Sequence, residues 1–245
     1  MARYDFRTVR LFVEAGLAAG AEVPLSREQG NYLQNVLRLP AGAPVLVFNG
    51  RDGEWRALLS GGRRVPVLKV ESLQREQTAA GDLGYAFAPL KHARLDYMVQ
   101  KAVEMGAAVL LPVLTQHTQV SRVNLERMRA NVIEAAEQCG ILEVPSVEEP
   151  LPFDRWLATI APDRVLIFCD EEAEIADPIE ALRHAPAGPA TLLIGPEGGF
   201  AETERRALLG RARVVRLSLG PRILRADTAA VAALALVQAV RGDWR

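Results

Sequence analysis

Two short segments hold the residues whose types and spacing can do chemistry. The first is Leu192-Leu193-Ile194-Gly195-Pro196-Glu197-Gly198-Gly199-Phe200, an apolar strand pattern running into a glycine-rich turn. Glycine lets backbone approach a ligand closely, and open α/β sheets bind ligands at the carboxyl ends of their strands. The loop is neither GxGxxG nor the GK[ST] of a P-loop, so nucleotide-phosphate binding is not indicated. An ordinary structural turn is an equal reading. The second segment is Leu217-Ser218-Leu219-Gly220-Pro221-Arg222-Ile223-Leu224-Arg225-Ala226-Asp227-Thr228, again a strand, a Gly-Pro break and a helix start. Asp227 or Thr228 can cap that helix. Arg222 and Arg225 beside apolar Ile223 and Leu224 exceed what a cap needs, and they suit an anion or a polar base edge.

Around these loops the pattern alternates. Strand candidates at Tyr85–Leu90, Val109–Leu114, Val165–Cys169, Thr191–Ile194 and Val214–Leu219 interleave with helices at about His92–Met105, Leu125–Gln138, Glu202–Leu209 and Thr228–Arg241. Such alternation argues for a parallel sheet with helices on both faces. Residues 1–72 read instead as a small barrel. Strands are expected at Val9–Val13, Pro44–Phe48, Trp55–Leu59 and Val65–Val70, with a hairpin turn at Asn49–Glu54 and one helix from Ser26 to Leu39. Pro66 favours an edge or strand start. A polar linker from Gln74 to Leu83 joins the two parts, giving domains of 1–72 and 73–245.

Composition narrows the class. With 245 residues, 49% apolar and 24% charged, the chain is an ordinary globule and not a disordered, collagenous or coiled-coil one. Cys139 and Cys169 form no CxxC, and His92, His117 and His184 are scattered, so no metal is expected. No uncharged apolar run approaches about 18 residues and MARYDFRTVR has no apolar h-region, so no membrane contact and a cytoplasmic location are expected. The net charge of −1 hides a polarity. Residues 143–180 carry eleven acidic and two basic residues, while residues 1–72 carry ten basic and seven acidic, and residues 181–245 ten basic and five acidic. Basic surface of that kind can meet phosphate, although solvated faces explain it equally.

The pairing of LLIGPEGGF with LGPRILRADTA resembles the bacterial 16S rRNA (uracil-N3)-methyltransferase family of the SPOUT methyltransferases. Further matching segments are Lys91 with Leu95-Asp96-Tyr97-Met98-Val99-Gln100-Lys101-Ala102-Val103-Glu104-Met105-Gly106, then Glu134–Gly140, Asn35-Val36-Leu37-Arg38 and Phe48-Asn49-Gly50. Asn31, where the family favours histidine, and Asp227, where it favours glutamate, depart from the pattern. The resemblance implies an α/β fold, with a C-terminal SPOUT-type parallel sheet tied in a deep trefoil knot and a small N-terminal PUA-like β-barrel. It also implies a homodimer acting on 16S rRNA or the small ribosomal subunit. S-adenosyl-L-methionine would be the cofactor and S-adenosyl-L-homocysteine the product.

Carried onto this chain, the resemblance gives roles to particular residues. Ile194, Gly195, Pro196, Gly198 and Gly199 would sit around the cofactor's methionine part. Leu217, Ser218, Leu219, Gly220, Arg222, Ile223 and Leu224 would frame its adenosine, and Phe168-Cys169-Asp170-Glu171 could supply a third wall. Uracil N3 must lose a proton before it attacks, so a charge stabiliser and a base are needed. Arg225 is the expected stabiliser and Glu197 the expected acceptor. Arg7, Arg10, Arg38, Arg63, Arg64, Lys91, Arg94 and Lys101 are expected to hold RNA phosphates, which position RNA without reading its sequence. A SPOUT 2′-O-ribose methyltransferase and a non-catalytic RNA-binding protein of the same fold are the competing readings.

Overall fold

The computed structural model describes residues 7–62, 65–79, 81–120, 122–170, 172–175 and 177–244. They divide into two compact units. The first holds the described residues up to 79 together with Ala136–Val144, and the second holds Gly81–Ala135 and the residues from Pro145 onward.

The first unit is a half-barrel. Strands β1 (Arg10–Phe12), β2 (Glu22–Pro24), β3 (Pro44–Phe48), β4 (Glu54–Gly62) and β5 (Val65–Arg75) form one sheet in the order β1-β3-β4-β5-β2. β1 runs parallel to β3 and the other pairings are antiparallel. β3 is buried on both faces. Val45 and Val47 enter one core with Leu11, Leu33, Leu59 and Leu68, and Phe48 enters another with Ala136 and Leu142. The expected hairpin turn forms because Asn49 Oδ1 accepts the amides of Arg51 at 3.1 Å and Asp52 at 2.9 Å.

Several expectations are corrected here. β5 continues through residue 72 and past Gln74 to Arg75, because its antiparallel pairing with β4 runs on to Glu54. β2, three residues long, left no pattern to read. The helix expected from Ser26 to Leu39 is two pieces. α1 (Arg27–Asn31) starts with a capping box, in which Ser26 Oγ accepts the Gln29 amide at 3.1 Å and Gln29 Oε1 accepts the Ser26 amide at 3.0 Å. A π-helical stretch, Tyr32–Val36, follows. The chain leaves it through Arg38 at φ +54°, the only non-glycine at positive φ among the described residues. That conformation costs an L-residue about 1–2 kcal/mol.

A buried carboxylate organises this unit. Glu54, 3% exposed, accepts Arg10 Nε at 2.6 Å, Arg75 Nε at 2.7 Å and Arg75 Nη2 at 2.8 Å. Burial alone would raise its pKa, but the hydrogen bonds from Arg75 and Arg10 outweigh that and hold it below its ordinary value. The same arginines reach backbone carbonyls, Arg10 those of Ala136, Glu137 (2.8 Å) and Ile141 (2.9 Å), and Arg75 that of Gly140 (2.9 Å). The Arg10 guanidinium also lies 4.3 Å from the Phe48 ring centroid. Removing one member of a buried ion network costs about 3–5 kcal/mol. Glu54→Gln is therefore expected to lower unfolding free energy by about that much, read from urea denaturation; a loss within the error of the extrapolation would show the network to be inert.

The second unit is a parallel α/β sheet. In chain order it comprises β6 (Gly84–Phe87), α2 (His92–Glu104), β7 (Val109–Leu114), α3 (Leu125–Cys139, its last residues counted with the first unit), β8 (Ser146–Val147), β9 (Leu151–Pro152) and α4 (Phe153–Thr159). Then follow β10 (Val165–Cys169), α5 (Pro178–His184), β11 (Ala190–Ile194), α6 (Glu202–Leu209), β12 (Val214–Leu217) and α7 (Ala226–Arg241). The strand order is β12-β10-β11-β6-β7-β8, with β9 also on β7, and every pairing is parallel. The run Val165–Phe168 is wholly buried, as expected when both faces are covered. Phe168, Leu166 and Leu193 pack against Phe153, Trp156 and Leu208. α2 packs on α7, with Met98, Val99, Ala102, Ala233 and Leu234 buried. Gln238, the polar residue within the apolar α7, is buried and donates to the Met105 carbonyl at 2.7 Å.

The five expected strands of this unit lie in place: β7 and β10 have the expected bounds, β11 starts one residue earlier at Ala190, and β6 and β12 stop sooner, at Phe87 and Leu217. α4 and α5 left no clear signal, being seven residues each. α7 starts at Ala226 with Arg225 as N-cap, so neither Asp227 nor Thr228 caps it; the Asp227 carboxylate accepts the Thr228 amide at 2.9 Å inside the first turn. Among the described residues no helix is long and apolar enough to cross a membrane.

Candidate active site

Because all strands of the second sheet run one way, the segments leaving β10, β11, β12, β6 and β7 emerge at one edge. Both loops singled out in the sequence lie there. A buried carboxylate below the edge ties them together. Asp170, just after β10, accepts Arg216 Nε of β12 at 2.7 Å and Arg205 Nη2 of α6 at 3.2 Å, and its own amide donates to the Leu217 carbonyl at 3.1 Å. Burial pushes the Asp170 carboxyl up, but Arg216, the Glu172 amide and Arg205 outweigh it and leave the pKa below its ordinary value. Asp170 is thus a brace and not an open wall of the site. Cys169 beside it is no nucleophile, since burial and the Asp170 charge push its thiol up to about 12.

The glycine loop is held from both ends. Gly199 donates to the Pro196 carbonyl at 2.9 Å, closing a tight turn, and has φ +71°. A Cβ on Gly195 would come within 2.8 Å of the Phe200 ring. That ring stands edge-on to Phe168 with centroids 6.1 Å apart, so the absent side chain is what lets Phe200 anchor the loop. His117 Nδ1 lies 3.0 Å from the Gly199 carbonyl oxygen. Buried Glu204 accepts the amides of Gln116 at 2.8 Å and Ala201 at 2.9 Å.

The upper side of both loops is open. Among the described residues, no backbone amide from Ser218 to Leu224 makes a hydrogen bond, and neither do those of Gly195, Glu197 and Gly198. Backbone polar groups seldom stay unpaired unless water or a ligand meets them. Ile223 is 94% exposed, while Leu224 is half-buried. Arg222 and Arg225 are exposed and have no partner among the described residues. Gly220, at φ +90° with nothing within 4 Å of a built Cβ, lets the chain turn here. Arg94 of α2 pairs with Glu197 and lies 4.0 Å from the Asp227 carboxylate.

Most of the expected site residues come together at this edge. Gly195, Pro196, Glu197, Gly198, Gly199, Ser218, Leu219, Gly220, Arg222, Ile223, Leu224 and Arg225 all lie there, and Lys91 is exposed at the N-cap of α2. Two are corrected. The side chains of Ile194 and Leu217 are buried in the core, and their carbonyls accept the amides of Ala88 and Asp170, so neither side chain can touch a ligand. Arg10 is corrected as well, since its side chain is 8% exposed and engaged with Glu54. Lys101 donates to both carboxylate oxygens of Glu104, at 2.6 and 2.7 Å. Arg7 and Arg38 are exposed, and Arg63 and Arg64 lie outside the described residues. Asp170 was read as a possible wall and not as a brace, and Arg205, Arg216, Glu204 and His117 were not singled out as site residues, because their role depends on neighbours far away in sequence.

Comparison with known proteins bears on what this edge is for. The RNA methyltransferase domain family matches residues 77–238, and the RNA methyltransferase PUA domain family matches residues 25–65. A ribosomal RNA small subunit methyltransferase E of Rickettsia conorii is 30% identical over 233 residues, 94% of each chain. The chain belongs to the ribosomal RNA small subunit methyltransferase E family. Two solved structures share its fold over nearly their whole length. The Neisseria gonorrhoeae methyltransferase E bound to S-adenosyl methionine has a TM-score of 0.88 and 25% identity, over 98% of this chain and 100% of that one. A Legionella pneumophila methyltransferase solved with bound cofactor SAM has a TM-score of 0.80 and 29% identity, over 95% and 98%.

The brace makes a pH-dependent prediction within this family member. Asp170→Asn should destabilise the protein by about 3 kcal/mol near neutrality and loosen both loops. Because the folded pKa lies below the unfolded value of about 3.9, the contribution is complete above that value and fades as pH falls through the lower one. Parallel unfolding curves for the two proteins should converge in acid; a gap independent of pH would mean that the carboxylate charge is irrelevant.

Proposed function

We propose that the protein transfers the methyl group of S-adenosylmethionine to N3 of a uridine in the 16S RNA of the small ribosomal subunit. It would work in the cytoplasm as a homodimer, with the second unit threaded as a deep trefoil knot. The observation that carries the reading is the stretch from Ser218 to Leu224, whose N–H groups make no hydrogen bond among the described residues, followed by Arg225, likewise without a partner there, in a chain of an RNA methyltransferase family.

S-adenosylmethionine supplies, when bound, a methyl group on a positively charged sulfur. Gly195, Pro196, Gly198 and Gly199 would flank its methionine part. Ser218, Leu219, Gly220, Arg222, Ile223 and Leu224 would enclose the adenosine, the open amides meeting the edge of the ring and the apolar side chains its faces. As N3 of uracil loses its proton, negative charge grows on the flanking carbonyl oxygens. Arg225 stands at the start of α7, a helix of 16 residues. Its guanidinium adds to the positive end of the helix dipole, and both stabilise that charge. Glu197, steered by Arg94, takes the proton. Arg7, Arg38 and Lys91 hold the RNA backbone. Leaving an isoleucine exposed forgoes about 1.5–3 kcal/mol of burial, so Ile223 is a surface for the cofactor and the second copy to cover.

The test is methyl transfer from labelled S-adenosylmethionine to small ribosomal subunits lacking the modification, followed by nucleoside analysis. The expected product is 3-methyluridine. A ribose-methylated nucleoside would replace the base by the 2′-hydroxyl as target, and cofactor binding without transfer would leave a binding protein. Arg225→Ala should lower turnover by about 10²–10³-fold, as removal of a transition-state donor does, while cofactor affinity survives. Equal loss of both would sink its role in the reaction.

A further inference from the structure

We propose that the π-helical turn of the first unit, with the strained residue that follows it, forms a pocket for one unpaired ribonucleotide of the RNA substrate. Arg38 would hold its phosphate, and Gln34 and Asn35 would meet its base. The ligand class rests on the methyltransferase reading; the location does not.

An open cavity of about 590 Å³ is lined by Gln34, Asn35, Arg38, Leu39, Pro40 and Gly61, among others. That is within the size range of small-ligand sites. Arg38 sits at φ +54°, where glycine would be free of strain. The backbone is fixed on both sides, Leu37 N donating to Tyr32 O and Leu39 N to Leu33 O, each at 2.9 Å. The arginine therefore contributes nothing to this turn that glycine would not do better. Its side chain is exposed and has no partner among the described residues. A cationic group kept at a strained position, pointing at no protein group, suits an external anion.

The neighbouring amides supply the rest. Gln34 makes no side-chain hydrogen bond among the described residues. Asn35 gives one N–H to Asn31 Oδ1 at 2.8 Å, which leaves its carbonyl oxygen and a second N–H. Such groups match the donors and acceptors on the edge of an unstacked base. The cavity wall also carries Leu39 and Pro40, an apolar surface for the face of the base. A guanidinium and two amides in one small concavity favour a nucleotide over an apolar protein segment.

The full-length protein would be titrated into a fluorescent, short single-stranded RNA at several salt concentrations, with anisotropy as readout. Arg38→Gly relieves the backbone, so its Tm should equal or exceed that of the wild type and its affinity for S-adenosylmethionine should not change. RNA affinity should fall roughly tenfold, and the salt dependence should become shallower by about 0.7 in log–log slope, one phosphate contact on a single strand. Arg27→Ala, removing an exposed cation nearby, should do far less. Gln34→Ala should weaken binding of intact RNA but not of RNA abasic at the contacted position. If Arg38→Gly binds like the wild type, or Arg27→Ala loses as much, the pocket is wrong while the methyltransferase reading stands. If the wild type binds no RNA and transfers no methyl group, both fall.

Discussion

The candidate site depends on one carboxylate beneath it. Among the described residues, two loops that leave separate strands have no backbone hydrogen bond to each other, and most of their own amides are unpaired. Their shape therefore has to be imposed from below. Asp170 does this by accepting from Arg216, in the strand that precedes one loop, and from Arg205, in the helix that follows the other. Its amide fixes the end of β12 through the Leu217 carbonyl. On the far side of the glycine loop the constraint is apolar, Phe200 lodged against Phe168 and Phe153. A polar brace and an aromatic anchor leave the upper backbone positioned yet chemically free, which is how a preorganised ligand site is built.

That division of labour explains what the sequence made legible. Local signals were reliable. The alternation of Val165–Cys169 and the other apolar runs with periodic helices marked the parallel sheet, and glycines at positive φ such as Gly199 and Gly220 marked the two loops. Ser26 marked a helix start correctly, but the π-helical stretch after it could not be read, because residues 32–36 have an ordinary helical pattern. The braces were silent for another reason. Asp170, Arg205 and Arg216 are 35 and 46 residues apart along the chain, and an acidic loop followed by scattered arginines looks like a solvated surface. The burial of the Ile194 and Leu217 side chains was not legible, because a residue next to a binding loop is not thereby exposed.

Charge counting misled in the same way, and the arginines show why. Of the 29 basic residues 26 are arginine, and many are spent inside the protein on carbonyl oxygens. Arg10 serves those at the end of α3, Arg211 those of Leu157 and Ile160 at the end of α4, and Arg241 those of Ala185 and Pro186 after α5. A guanidinium suits this work because its planar fork can satisfy several of the last carbonyls of a helix and meets the negative end of its dipole. The excess of positive charge outside residues 143–180 is in good part architectural, and it says less about RNA than its size suggests.

Three exposed cations stand in settings that carry information. Arg222 and Arg225 border the unbonded amides of the second loop, and Arg38 closes the π-helical turn beside Gln34 and Asn35; among the described residues none of the three has a partner. Exposed arginines without a partner among the described residues also occur at Arg27, Arg129, Arg155 and Arg183, so it is the local setting of Arg38 and Arg225 that sets them apart. At Arg38 the backbone is strained as well, so the side chain persists against a local cost. At Arg225 the position is the N-cap of a helix, where a serine, threonine, aspartate or asparagine would stabilise the helix and an arginine offers no cap. In both places local stability argues for another residue, and what arginine adds is a planar positive fork open to solvent. An external anion is the partner that such a fork fits; on the function proposed above it would be an RNA phosphate at Arg38 and the charge developing on the base at Arg225.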